Sequence, residues 1–200
     1  GSEIGTHAGT FPSDSDMDFD SLKLVIGSYY NPSLALHGIM NEVSVWDSAL
    51  TANEVTALYN SGLPLLPTSD SGNYASSSDL VGYWRNDGVT TWLDKANTGV
   101  ASFDGVNDSL NLDGFNFSGN QATFSFWVNL NTIETTFLID LNPNRFIIGL
   151  SDPDTHLGVY DGSSWKFFGA LSAGVWSHLV IVLNNTTASA YVNGSQLGSD

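Results

Sequence analysis

Two adjoining segments organise the chain: Leu36-His37-Gly38-Ile39-Met40-Asn41-Glu42-Val43-Ser44-Val45-Trp46-Asp47, and then Ser48-Ala49-Leu50-Thr51-Ala52-Asn53-Glu54-Val55-Thr56-Ala57-Leu58-Tyr59-Asn60-Ser61-Gly62. In the first segment Val43 and Val45 alternate with their neighbours, and this period of two residues predicts a β-strand. In the second segment the apolar residues recur at helical spacing, which predicts a helix over residues 52–60. A strand that leads directly into a short helix is typical of a packing unit.

The predicted helix carries its own start and stop signals. Thr51 can cap the first turn through its hydroxyl, and Glu54 can reach back to the Thr51 amide as a capping box. Leu50 and Val55 fit a hydrophobic staple across the helix start, and Gly62 fits a left-handed stop. The apolar stripe that should face the protein interior consists of Val55, Leu58 and Tyr59.

Short apolar segments recur through the rest of the chain. From residue 101 onward they are spaced roughly ten residues apart, which is typical of a sandwich or barrel. Phe124, Phe126 and Val128 alternate with polar or amphipathic neighbours, and residues 22–27 form an earlier strand of buried type. The sequence therefore predicts an all-β fold, a two-sheet antiparallel jelly-roll sandwich with one short peripheral helix.

Composition excludes several classes of partner. The formal net charge is −16, with only five Lys and Arg residues, so the surface should repel nucleic-acid phosphates and anionic lipid. An apolar share of 42% is enough for a packed core. The chain has no Cys, so cysteine usage does not indicate whether the protein works in an oxidising or a reducing compartment. No apolar run is long enough to span a bilayer, and residues 1–20 are too polar to be a signal peptide.

Three sequence motifs occur together in this chain. They are Gly38-Ile39-Met40-Asn41-Glu42-Val43-Ser44-Val45-Trp46 followed by Leu50-Thr51 through Gly62, then Trp176-Ser177-His178 followed by Tyr191-Val192-Asn193-Gly194, and Ser102-Phe103-Asp104-Gly105-Val106-Asn107-Asp108. They resemble the closing signature, the Trp-x-His strand with its hairpin, and the opening turn of laminin G-like domains in the concanavalin A-like lectin/glucanase superfamily. Asn41 stands where the family usually has Asp. The resemblance implies a concanavalin A-like sandwich that serves as an extracellular binding or adhesion module.

The motifs occur in an unusual order. In the family the opening turn and the Trp-x-His strand precede the signature that ends here at Gly62. Residues 1–62 thus resemble the family's C-terminal part, residues 63–78 form a linker, and residues 79–200 resemble its N-terminal and middle part. We expect one circularly permuted domain over residues 1–200, with Gly1 near Asp200. The alternative is a pair of half-domains that neighbouring chains complete in an assembly.

Catalytic motifs are missing from the sequence. Retaining glycoside hydrolysis needs two carboxylates about 5–5.5 Å apart, which the glucanases of this superfamily supply as Glu-x-Asp-x-x-Glu. Glu occurs here only at positions 3, 42, 54 and 134, so this spacing does not arise. No Gly-x-Ser-x-Gly elbow is present either, and the role of His178 in the family looks structural. We therefore predict that the protein is not an enzyme.

One turn is a candidate calcium site. Asp104, Asn107 and Asp108 offer three side-chain oxygens within five residues, and Ca²⁺ prefers such oxygen ligands. Laminin G-like relatives often carry an ion near the rim of the sandwich. The alternative is that Asp and Asn simply stabilise the turn by accepting hydrogen bonds from backbone amides. Asp152-Pro153-Asp154 with His156 is a weaker candidate of the same kind.

Loop-borne aromatic and amide side chains are candidates for glycan recognition, because sugar rings stack on aromatic faces and sugar hydroxyls bond to polar groups. The alternative for Trp165 is that it covers a sheet edge, and Trp84, Trp127 and Trp176 are expected in the core or between strands. The expected partner is a glycan or protein on a cell or virion surface, self-association being left open. The candidate ligand-binding residues are Tyr29, Tyr30, Asn31, Arg145 and Trp165.

Overall fold

The computed structural model describes residues 6–8, 22–28, 34–85, 101–115, 121–141, 146–151, 154–185 and 187–197. These ranges contain one α-helix, α1 (Ala52–Tyr59), and two short 3₁₀ turns, at Asn60–Gly62 and Ser77–Asp79. The strands are β1 (Thr6–Ala8), β2 (Leu22–Ile26), β3 (His37–Trp46), β4 (Leu80–Trp84), β5 (Ala101–Asp104), β6 (Leu110–Phe115), β7 (Gln121–Leu130), β8 (Thr136–Leu141), β9 (Phe146–Ser151), β10 (His156–Tyr160), β11 (Trp165–Gly169), β12 (Trp176–Asn184), β13 (Thr187–Val192) and β14 (Ser195–Gln196).

The strands form two antiparallel sheets. Among the described residues the larger sheet has the order β1-β13-β12-β7-β3-β4, with β5 beside β3 and β14 beside β13. The smaller sheet has the order β11-β10-β9-β8-β2-β6. Sandwiches of this kind pack the inner faces of their two sheets against each other. The predicted all-β, two-sheet antiparallel architecture with one short helix is confirmed for the described part of the chain.

The main core lies between the sheets. Phe124, Phe126 and Val128 point inward from β7, as their alternation predicts, and each is at most 1% exposed. They meet apolar side chains from both sheets, and burial of this kind is the main favourable term in folding. The inward residues of the other long strands include Leu179, Ile181 and Leu183 of β12, Phe146, Ile148 and Leu150 of β9, and Leu157 and Val159 of β10.

Strands from the two ends of the chain lie side by side. In the larger sheet β3 pairs with β7, so that Val45 is opposite Phe124. In the smaller sheet β2 lies between β8 and β6, with Leu24 opposite Leu141 on one side and Leu112 on the other. Residues 22–46 and 101–196 therefore share both sheets within one chain. The circular permutation itself stays a prediction, and Gly1 and Asp200 lie outside the described residues.

Helix α1 begins as its sequence predicts and ends earlier. The Thr51 hydroxyl accepts a hydrogen bond from the Glu54 amide at 3.3 Å, and the Thr51 amide donates to a Glu54 carboxylate oxygen at 2.9 Å. These two bonds confirm the capping box. The predicted stop at Gly62 is two residues too late, since Asn60 already has left-handed angles (φ 45°, ψ 44°). Asn tolerates this conformation better than other residues with a side chain.

A second core lies between α1 and the outer face of the larger sheet. The helix contributes Val55 and Leu58 to this core, while Tyr59 is only half-buried. The segment predicted to be a linker, residues 63–78, also contributes to it through Tyr74, which is 1% exposed. The Tyr74 hydroxyl accepts a hydrogen bond from Trp46 Nε1 at 2.9 Å, and burial raises the pKa of this hydroxyl to about 12. The other buried members of this cluster are Trp46, Leu50, Val180, Val182 and Tyr191.

Three tryptophans predicted in the core or between strands occupy different environments. Trp84 is half-buried and packs against the main core. Trp127 is also half-buried, on the outer face of the larger sheet. The prediction is wrong for Trp176, which is 36% exposed. Trp176 is the first residue of β12, and strand alternation places it on the outer face with Val180, a member of the second core.

Candidate functional site

Only part of the predicted glycan site lies within the described residues. Tyr29, Tyr30, Asn31 and Arg145 lie outside them. Trp165 is described, and it is the first residue of β11, an outermost strand of the smaller sheet in the described structure. The environment of Trp165 therefore defines the candidate site.

Trp165 lies at the centre of four aromatic rings, which we term the aromatic platform: Phe137, Tyr160, Trp165 and Phe167. The Trp165 ring centroid is 5.8 Å from that of Phe137, 5.7 Å from that of Tyr160 and 5.8 Å from that of Phe167. The Trp165 and Phe167 rings are nearly parallel, with an interplanar angle of 10°. Ring pairs at these distances attract each other, so the neighbours hold Trp165 in place.

Strand pairing explains why these rings meet. Tyr160 is directly opposite Trp165 across β10 and β11, and Gly158 is opposite Phe167. Leu157 and Val159 belong to the main core. Because side chains alternate along a strand, Gly158 and Tyr160 then face outward. The platform is thus an outward-facing surface of the smaller sheet.

Two glycines make room for the rings. A Cβ atom on Gly158 would lie 2.9 Å from Phe167 Cδ1 and 3.1 Å from Trp165 Cε3. A Cβ atom on Gly149, the residue opposite Gly158, would lie 2.9 Å from Phe137 Cδ1. Glycine in a strand interior often marks such a close approach. The rings therefore lie directly on the strand backbones, at a height that larger residues would not allow.

The turn before Trp165 is held by one carboxylate. Asp161 Oδ1 accepts hydrogen bonds from the amides of Ser163 at 2.9 Å and Ser164 at 2.7 Å. Lys166 Nζ bonds to the Ser164 hydroxyl at 2.6 Å and lies 3.6 Å from Asp161 Oδ2. These contacts fix the backbone that presents Trp165.

Sequence reasoning found Trp165 but missed its three aromatic neighbours. A local signal existed for Phe167, which is two residues after Trp165 in the same predicted strand and so shares its face. Phe137 and Tyr160 come from other strands, and their place depends on which strands pair. Nothing in a single sequence states that pairing.

The predicted calcium residues form a hydrogen-bonded turn. Asp104 Oδ1 accepts from the amide of Val106 at 2.8 Å and from that of Asn107 at 3.4 Å. Asp108 Oδ2 accepts from the Asp104 amide at 3.0 Å. Within the described ranges no three His, Cys, Asp or Glu side chains are grouped so that they could hold a metal ion. Calcium binding by Asp104, Asn107 and Asp108 stays a prediction.

The weaker acidic candidate is only partly described, since Asp152 and Pro153 lie outside the described residues. Asp154 and His156 flank the start of β10, and Asp154 has a positive φ of 62°. This geometry is that of a tight turn.

A buried serine–histidine pair lies on the outer face of the larger sheet. Ser125 Oγ is 2.8 Å from His178 Nε2, and both residues are buried. Burial lowers the pKa of His178 to about 3, so the imidazole is neutral at physiological pH. Among the described residues His178 Nδ1 has no hydrogen-bond partner. A catalytic triad requires a carboxylate at that nitrogen, so this pair does not form one.

A small cleft opens beside this pair, and we term it the Glu42 cleft. Glu42 lies at a β-bulge, because Asn41 pairs with Trp127 whereas Ser44, three residues later, pairs with Ser125. Its φ of 53° is unusual for a non-glycine residue. The cleft encloses ≈ 220 Å³ up to its open mouth, and its interior has room for about one water molecule. Its lining consists of Glu42, Ser44, Leu58, Pro64, Leu65, Pro67, Ser125, Trp127 and His178.

Comparison with known families agrees with this architecture. Two antiparallel sheets and a helix on one outer face define a β-sandwich of concanavalin A-like type. Residues 103–200 match the laminin G-type family model described as the concanavalin A-like lectin/glucanases superfamily. These residues therefore resemble the laminin G-like domains of that superfamily. No curated protein and no solved structure matches the chain.

This resemblance suggests a binding module. Laminin G-like domains are generally non-catalytic, are typically extracellular and bind carbohydrate or protein partners. No helix in the described part of the chain is both long and apolar enough to cross a membrane.

Proposed function

We propose that the protein is a non-catalytic carbohydrate-binding module of a cell-surface or virion-surface protein, and that the aromatic platform is its glycan site. The observation that supports this is the half-buried Trp165 ring, held by three further rings on the outer face of a sheet. Rigid aromatic surfaces of this kind bury large contact areas at low entropic cost, and their faces can stack on the C–H groups of a pyranose.

The charge of the protein narrows the class of glycan. With a formal net charge of −16, the protein repels sulfated and sialylated chains at long range. The expected ligands are neutral hexose or N-acetylhexosamine glycans. The exposed Ser163 and Ser164 directly precede Trp165 and supply polar groups for hydroxyls, since a hydroxyl needs hydrogen-bond partners when its water is displaced.

A glycan array tests this proposal when it is run with Ca²⁺ and again with a chelator. We expect binding to neutral glycans, and a loss of at least tenfold in affinity for Trp165→Ala, because an aromatic anchor at a binding site typically contributes about 2 kcal/mol or more. Leu63→Ala is the matched control, since Leu63 is 72% exposed and follows α1 on the other side of the sandwich. Absence of glycan binding, or unchanged affinity in Trp165→Ala, would contradict the proposal and favour a module that binds only protein neighbours.

A further inference from the structure

A second exposed aromatic surface lies on the outer face of the larger sheet. Trp176 of β12 is directly opposite Asn129 of β7, which in turn is opposite Ile39 of β3. In the next row His178 is opposite Trp127, which is opposite Asn41. The tryptophan–asparagine surface is defined here as Ile39, Asn41, Trp127, Asn129 and Trp176.

This surface is rigid in the middle and open at its margin. The Trp127 ring stacks on His178 at a centroid distance of 5.1 Å and on Tyr59 of α1 at 5.9 Å. The Tyr59 and His178 rings also stack on each other, at 6.1 Å. Trp176, by contrast, is 36% exposed and has no ring partner among the described residues. A fixed indole beside an exposed one offers aromatic area to a ligand without the cost of ordering the whole surface.

The polar groups of the surface are uncharged. Asn129 lies between Trp176 and Ile39, and its side-chain amide has no hydrogen-bond partner within the part of the chain that the structure describes. An amide offers two donors and one acceptor, which suits a ligand that carries hydroxyl groups. No member of the surface is acidic or basic, and the neighbouring Glu42 is already paired with Arg85 at 3.1 Å. A charged ligand would therefore find no unpaired partner there, and an anionic one would also meet the net charge of −16.

The Glu42 cleft adjoins this surface through Trp127, which belongs to both. The polar side chains of its lining are Glu42, Ser44, Ser125 and His178, and its interior holds about one water molecule. A primary hydroxyl of a ring ligand is the size of that water. The cleft can therefore receive that hydroxyl while the ring rests on the tryptophans.

We propose that the tryptophan–asparagine surface is a second glycan-binding site, which takes a neutral pyranose whose ring lies on Trp176 and Trp127 and whose hydroxyls bond to Asn129. The inference rests on the proposed function for its ligand class, but it uses none of the residues of the aromatic platform. The two sites lie on the outer faces of opposite sheets, with the main core between them. One molecule can then hold two glycans at once, and such bivalence raises avidity without any new contact.

The experiment is a titration followed by ¹H–¹⁵N NMR of the tryptophan indole N–H groups. The chain has six tryptophans, and the four signals that the experiment uses are assigned from Trp46→Phe, Trp127→Phe, Trp165→Phe and Trp176→Phe variants. The probes are the methyl glycosides of glucose, galactose, mannose and N-acetylglucosamine, with N-acetylneuraminic acid as the anionic control. Trp46 is an internal reference, since it is fully buried and its Nε1 is bonded to the Tyr74 hydroxyl.

We expect at least one neutral glycoside to shift the Trp176 and Trp127 signals saturably, with the Trp46 signal unchanged and no response to the anionic sugar. Asn129→Ala should weaken the response of Trp176 at least tenfold and leave that of Trp165 unchanged. A response of Trp165 alone overturns this inference and keeps the proposed function, whereas a response of Trp176 alone overturns the platform as a site. No response of either refutes both. A Trp176 shift that follows protein dilution without sugar shows that a second copy of the chain covers the surface, and it overturns the inference as well.

Discussion

At the scale of single residues, His178 links the stability of the protein to pH. It is 2% exposed, its Nε2 is bonded to Ser125, and its ring packs against the rings of Tyr59 and Trp127. A buried imidazole resists protonation because its charged form loses hydration. The folded state therefore holds His178 neutral over a range of pH in which the unfolded chain would protonate it.

The unfolding free energy should fall as the pH drops below 6.5. The pKa of His178 is lowered from 6.5 to about 3 by burial, so the unfolded state binds the additional proton between those values. Stability is complete above 6.5 and is lost by up to about 1.4 kcal/mol for each pH unit below it. Urea denaturation from pH 8 to pH 5 measures this slope. In His178→Gln the slope should flatten, and an equal slope in the variant would disprove the assignment.

The acidic turn at residues 104–108 gives a second prediction at this scale. If the turn binds Ca²⁺, the ion should raise the melting temperature of the protein, and Asp104→Asn with Asp108→Asn should abolish the rise, because ligands that bind only the folded state stabilise it. The measurement is a thermal melt in a chelator and in millimolar CaCl₂. Asp70→Asn serves as the control, since Asp70 lies at an exposed turn outside both candidate calcium sites. An equal rise in the double variant would place the ion elsewhere.

At the scale of elements, the sequence predicts features that depend on neighbouring residues, but it does not predict features that depend on which strands pair. The capping box of Thr51 and Glu54 involves residues three apart, so the sequence contains both partners side by side. The left-handed turn begins at Asn60, two residues before Gly62, because Asn can adopt that conformation and a single sequence does not rank the two. The β-bulge at Glu42 could not be predicted from the sequence, because it is defined by the register of β3 against β7. For the same reason the stack of Tyr59, Trp127 and His178 could not be predicted.

Helix α1 should contribute substantially to global stability. Leu58 is 4% exposed in the second core, so Leu58→Ala should lower the unfolding free energy by about 2–5 kcal/mol. Leu63→Ala removes the same atoms at an exposed position and should change it by less than about 0.5 kcal/mol. Both values come from urea denaturation of the purified variants. Equal small effects would mean that α1 is only loosely attached.

The cap of the same helix can be tested separately. Thr51→Ala removes the hydroxyl that accepts the Glu54 amide and should cost about 1 kcal/mol. Glu54 also accepts hydrogen bonds from the Ser76 hydroxyl at 2.5 Å and the Ala75 amide at 3.3 Å, so it ties α1 to the segment that follows. Thr51→Ser keeps the hydroxyl and should be close to neutral. A serine variant as unstable as the alanine variant would show that the methyl group, and not the cap, is responsible.

At the scale of the whole molecule, the sequence predicted the class of fold. It also predicted that the N-terminal and C-terminal parts of the chain contribute strands to the same sandwich. Alternation in β7 identified its inward face, because burial between two sheets imposes a period of two. The role of Tyr74 was missed, since a lone aromatic in a Ser- and Pro-rich segment has no periodic signal. The exposed position of Trp176 was missed because alternation alone does not say which face is covered.

The two ends of the chain should depend on each other for folding. In the isolated fragment 101–200, β7 would lose its pairing with β3, and the smaller sheet would lose β2 from between β8 and β6. Unpaired edges and half of a core rarely remain ordered. We expect this fragment to be unfolded by circular dichroism and NMR, whereas the 200-residue chain unfolds cooperatively. A fragment that melts cooperatively by itself would contradict the interdependence and would weaken the case for a permuted domain.

The two glycines beneath the aromatic platform also affect the register in which the strands of the smaller sheet pair. The rings of Phe137, Trp165 and Phe167 fit only where the strand below has no Cβ atom, at Gly149 and Gly158. If β10 slipped by one residue, Leu157 or Val159 would come under those rings and collide with them. A misregistered pairing of β10 should therefore be less stable than the native one. The aromatic platform, which we propose as a ligand site, would then also favour the correct register of β10 within its own sheet.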